Sequence, residues 1–118
     1  MDNQIPKLPG LERATINRHK LVNCSLASDH PEGGGKAKYF LSHGFSRDRP
    51  RVLEQALLDH ARNNHVAETI DSQYGKKYII IGEMLAPDGK PLPVLAVWFI
   101  ATGEQRPRLS TAYRHKGT

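Results

Sequence analysis

The chain is poor in sulfur and in tryptophan. It has one cysteine, one tryptophan and two methionines in 118 residues. The lone Cys24 excludes an internal disulfide and a cysteine-based zinc site. A reducing compartment, most simply the cytoplasm, is therefore expected. No apolar run approaches the roughly 20 residues of a membrane-spanning helix. The first residues, Met1-Asp2-Asn3-Gln4-Ile5-Pro6-Lys7, lack the apolar core of a secretory signal. No membrane contact is expected. There is also no serine elbow, no phosphate-binding lysine loop with its following Ser/Thr, and no dinucleotide fingerprint. His60 and His65 are five apart and do not share a helical face as a zinc-binding pair would. Neither a metal nor a cofactor is expected.

What is present is charge. The formal net charge is +5 with histidine neutral, and the isoelectric point is near 9.6. Such a balance favours nucleic acid or another polyanion as partner. The cations cluster: Lys36 with Lys38, Arg47 with Arg49 and Arg51, Lys76 with Lys77, then Arg106, Arg108, Arg114, His115 and Lys116. Length and composition fit one soluble globular domain with a modest core.

Apolar period divides the chain. Residues 1–14 carry Pro6, Pro9 and Gly10 with little periodicity and read as an extended arm. Residues 15–64 read as a helical half. A first helix is expected over about 17–26 with Asn17 as cap. A second is expected over 36–43 with Gly44 as stop, and a third from an Asp48 cap to about Asn64 with Pro50 in its first turn. Leu53, Ala56, Leu57 and Ala61 mark the buried face of the third. Residues 66–114 read as a sheet half. Strands are expected over 66–73, 77–85, 94–101 and 108–113, with Pro87-Asp88-Gly89-Lys90 closing a hairpin. The third of these is almost wholly apolar and belongs in the interior, with Trp98 in the core. The expected fold class is α+β: N-terminal helices on one face of a C-terminal three- to four-stranded antiparallel meander.

Two segments carry candidate chemistry. The run Gly33-Gly34-Gly35-Lys36 frees backbone N–H groups at a helix start and adds a cation, a phosphate-binding arrangement. His30 precedes it, and helix geometry groups Lys36, Tyr39 and His43. Histidine is the usual acid or base near neutral pH. The last strand is the second segment. Plain alternation would put Leu109, Thr111 and Tyr113 on one face and Arg108, Ser110 and Ala112 on the other. Lys36 is expected to face a cleft floored by Thr111 and Tyr113.

The run from His30 to Phe45, with Gly-Gly-x-Lys-Ala ahead of Gly-Phe, resembles a bacterial domain of unknown function. So do Tyr74-Gly75-x-Lys77-Tyr78, Val97-Trp98-x-Ile100 and Pro107-Arg108-Leu109-x-Thr111-Ala112-Tyr113. The resemblance covers about residues 14–114. The order of helices and meander is similar to the barnase–EndoU–colicin–RelE group of RNase toxins. That likeness implies a metal-independent RNase of toxin or toxin-derived type. The pattern of that group maps onto Lys36, His30, Thr111 and Tyr113; with His43 as the other acid or base read from the residues themselves, these would be catalytic, and Gly34, Gly35, Lys36 and Arg108 would bind phosphate. It also implies RNA as substrate. A start at Met1 points to a free-standing protein, for which an acidic immunity or antitoxin partner is expected. The alternative expectation is a non-enzymatic nucleic-acid- or protein-binding module of a mobile element.

Overall fold

The structure is a computed structural model and describes residues 7–17, 40–46 and 48–115. Helix α1 (Pro50–Asn63) is followed by four strands: β1 (Val66–Ser72), β2 (Gly75–Leu85), β3 (Pro91–Ala101) and β4 (Arg108–Arg114). The strands form one open antiparallel sheet in the order β1-β2-β3-β4. The architecture is α+β, with the strands in chain order as the apolar period predicts.

Pro50 sets where α1 begins. Its missing N–H costs nothing at the first helical position, and it drives the preceding residue out of helical geometry. Arg49, at φ −132°, is accordingly the N-cap, with no capping side chain. The expected Asp48 cap is corrected on this point: the Asp48 N–H instead donates to Ser46 Oγ at 3.1 Å. Leu53, Leu57, His60 and Ala61 are the buried face of α1. Their offsets of four, seven and eight form one stripe.

That stripe packs on the sheet face carrying Ile80, Met84, Val94, Ala96, Trp98 and Ala112, which join it in one core cluster. Gly82 lets the end of the helix come close. A Cβ there would collide with Asn64 Oδ1. The Asn64 amide uses the space to donate to the carbonyls of His60 and Glu83. His60 bonds the Val94 carbonyl at 3.0 Å. The helix end is thus pinned to β2 and β3.

The arm is less extended than its prolines suggest. Residues Leu11–Arg13 form a short 3-10 turn after Gly10, whose φ is +71°. Leu8 and Ile16 are buried in the same core. Thr15 N–H donates to the Pro107 carbonyl, and Leu109 N–H donates to the Thr15 carbonyl. The arm thereby lies parallel to the start of β4 as a one-residue bridge. Residues 40–42 are helical. Gly44, at φ +102°, ends that turn as expected. Phe40 and Phe45 meet edge to face, ring centres 5.9 Å apart. The first expected helix, except Asn17, and the start of the second lie outside the described residues.

Candidate functional site

The last strand does not alternate as its sequence suggests. Val97 pairs with Thr111, whereas Trp98 pairs with Leu109, so Ser110 is an extra residue bulged out of register. Cross-strand partners share a face. Leu109 therefore joins Trp98 and Ala112 on the helix side. Arg108, opposite Phe99, falls on the far side together with Thr111 and Tyr113. The expectation that set Arg108 apart from Thr111 and Tyr113 is corrected by this bulge. The three polar residues lie along the sheet face left open by the described elements, beside half-buried Leu95, Val97 and Phe99. Tyr113 is 37% exposed.

The arm adds cations at the Arg108 end. Arg13, Arg106 and Arg108 line a polar groove of about 420 Å³ with Thr15, Glu104 and Gln105. Arg108 donates to Glu104 at 2.8 Å, and Arg13 donates to Gln105 at 2.9 Å. Sequence reading missed Arg13. No local signal could have found it, because the bridge that brings Arg13 there joins residues more than ninety positions apart.

His43 stands elsewhere. Its Nδ1 lies 2.9 Å from Asp88 Oδ2, in the turn between β2 and β3. The hydrogen bond from His43 holds the Asp88 carboxyl below its ordinary value, helped by the Lys90 N–H. Arg108 pairs with Phe99, near the far end of β3 from that turn. At 3.2–3.4 Å per residue the two sites are roughly 25 Å apart along the strand. His43 and Arg108 do not converge on one phosphate. Lys36, His30, Gly34 and Gly35 lie outside the described residues, as does the expected approach of Lys36 to Thr111 and Tyr113.

Two further clefts lie on the helix side. One, about 590 Å³, is floored by Tyr78, Ile100 and Ala101 and rimmed by Glu12, Asp71 and Lys76. The other, about 540 Å³, runs between α1 and the end of β2 and reaches His60. His60 is 1% exposed. Its Nε2 takes the proton and donates to Val94, leaving Nδ1 buried without a partner. Burial lowers the pKa of this imidazole against the opposing pull of two carbonyls. Among the described residues no group of His, Cys, Asp and Glu has the arrangement of a metal site, and no helix is long and apolar enough to cross a membrane.

A family model described as a domain of unknown function (DUF6883) matches residues 7–116. No curated protein matches. The fold is similar to one chain of a contact-dependent growth inhibition toxin–immunity protein complex from Klebsiella pneumoniae 342. The TM-score is 0.71 at 15% identity, over 92% of this chain and 98% of that one. At such identity the likeness is one of fold.

Proposed function

We propose, for a chain that belongs to the DUF6883 family, the function of a toxin-type ribonuclease cutting RNA phosphodiesters. The observation that carries this reading is the β4 bulge, which lines up Arg108, Thr111 and Tyr113 on one open face beside a three-arginine groove. Full-length likeness in fold to a chain of a toxin–immunity complex supports it. So does the +5 charge.

RNA brings its own nucleophile, the 2′-hydroxyl. The protein has to hold the phosphate, stabilise its developing charge and move protons, and none of these tasks requires a metal. In this reading Arg108, with Arg13 and Arg106, holds the phosphate, and the hydroxyls of Thr111 and Tyr113 orient it. Lys36 with Gly34 and Gly35 supplies a second anion site. His30 is the candidate for proton transfer; His43, engaged with Asp88 at the other end of the sheet, does not reach the phosphate that Arg108 holds. The products are a cyclic phosphate and a 5′-hydroxyl end. An acidic immunity protein is the proposed partner.

The test is cleavage of bulk bacterial RNA by the purified chain, with fragment ends analysed, alongside growth of cells expressing it. Wild type should cut RNA and arrest growth. Arg108→Ala and Tyr113→Phe should each lose about 100-fold or more in rate, the scale of removing one charge-stabilising donor, with circular dichroism unchanged. A wild-type chain that neither cuts RNA nor slows growth overturns the reading. The exposed edge strand β1 favours a second reading, a non-enzymatic binding module; RNA or protein binding without cleavage would establish it.

A further inference from the structure

One row of side chains crosses the open face at the Arg108 end. Ile70 of β1 pairs with Lys77 of β2, Lys77 with Phe99 of β3, and Phe99 with Arg108 of β4. Partners in register share a face and stand one strand spacing apart, about 4.8 Å. An aromatic ring thus lies between two cations about 10 Å apart at their backbones. Both cations are exposed. The ring is half-buried because it leans diagonally over Gly75: a Cβ built on that glycine would stand 2.9 Å from Phe99 Cζ. Thr111 occupies the adjacent row, beside Val97.

From this row we infer that Phe99 is a stacking platform for one base of single-stranded nucleic acid, with Lys77 and Arg108 taking the flanking phosphates. The inference rests on the ribonuclease reading for its choice of polyanion. It adds a site made of Phe99 and Lys77, which that reading does not use. The chemistry of the row selects this occupant. A protein partner would have to bury two cations beside an apolar ring. A single strand offers a flat π-face and a negative charge on either side of it. Stacking of a base on an aromatic ring tolerates any sequence, and paired cations track the backbone. A duplex keeps its bases stacked on one another, so no π-face is free for the ring. Glu104, which accepts from Arg108 at 2.8 Å, competes with a phosphate for that guanidinium. The placement also has a consequence for the reaction: a base stacked on Phe99 sets its phosphate beside Thr111, one row along.

The experiment measures binding apart from cleavage. A fluorescein-labelled 12-mer of 2′-O-methyl RNA, which lacks the nucleophile, is titrated with the full chain by anisotropy at several salt concentrations. Wild type should bind more weakly as salt rises. Phe99→Leu should weaken binding roughly 5- to 150-fold, the range of one base stacked on an aromatic ring. Lys77→Gln should reduce the slope of log affinity against log salt by about 0.7. Glu104→Gln should tighten binding. Because the ring covers Gly75, Phe99→Leu can perturb the fold. Phe99→Trp keeps a ring there, should bind at least as well as wild type, and should show emission quenched by the oligonucleotide. The inference is overturned if wild type does not bind, if a duplex of the same sequence binds as tightly as the single strand, or if folded Phe99→Leu binds within twofold of wild type. It is also overturned if folded Phe99→Trp shows no quenching. Binding that depends on Phe99 in a chain that never cuts unmodified RNA would remove the ribonuclease reading and keep the platform.

Discussion

His60 is the residue whose chemistry is most constrained by its surroundings. It sits between α1 and the sheet with one nitrogen on the Val94 carbonyl and the other buried without a partner. A proton added to Nδ1 would place a charge in the core, a cost of lost solvent that the Val94 and Gly82 carbonyls offset only in part. Its pKa is lowered, first by loss of solvent. In the unfolded chain the imidazole keeps its ordinary value of 6.5. As pH falls below 6.5 the unfolded chain takes up a proton that the folded chain refuses. Stability therefore falls with pH, by at most about 1.4 kcal/mol per unit, until the folded pKa is reached. The Asp88 effect lies lower. Its depressed carboxyl contributes stability that is lost only as pH falls below 3.8 and through its folded value. Urea midpoints at pH 7.5 and 5.5 should thus differ more in wild type than in His60→Gln, whose amide can still donate to Val94. Equal differences in the two proteins would show that His60 does not titrate in this window.

Among the elements, the two sheet edges are treated differently. β4 has its first residues covered by the arm through the Thr15 bridge, and its bulge twists the strand near Ser110. β1 pairs only with β2 among the described residues, and past Val66 all its residues are exposed. Ile70 is 42% exposed. Edges of this kind present unpaired N–H and C=O groups to any passing strand. Hydrogen exchange should reveal the contrast. Amides of β2 and β3 should be the slowest in the protein, and alternate amides of β1 should exchange orders of magnitude faster. Uniform protection along β1 would mean that a second strand, from another copy of the chain, pairs there in solution.

Across the whole molecule one core joins helix, sheet and arm. Leu8 and Ile16 from the arm, Phe40 and Phe45 ahead of α1, and the stripe of α1 meet the same sheet face. Trp98, the single tryptophan, is fully buried in that core. Its fluorescence therefore reports on the packing that holds the layers together. With one core, unfolding should be a single transition. Trp98 emission and far-ultraviolet circular dichroism should give coincident urea curves, with a slope of about 1–3 kcal/mol per molar. If the emission changes at lower urea than the dichroism, the sheet outlives the packing of the helix, and the two halves are separable units.

Local pattern alone determined the elements. The stripe of Leu53, Leu57 and Ala61, the turn at Pro87-Asp88-Gly89-Lys90, the stop at Gly44 and the apolar strand around Trp98 were legible because each depends on neighbours within a turn or a strand. The meander order followed, since short hairpin connections leave adjacent strands adjacent. The site was legible only in its residue types. Tertiary structure decided which of them meet. The bulge at Ser110 turned Arg108 onto the face of Thr111 and Tyr113, and no feature of a seven-residue strand announces an extra residue, because a bulge is fixed by pairing with β3. The Thr15 bridge carried Arg13 to Arg108 across most of the chain. The turn between β2 and β3 drew His43 to Asp88, away from Arg108. Side-chain type is written in the sequence, but convergence depends on register and on long-range pairing, which arise only when the strands and the arm come together.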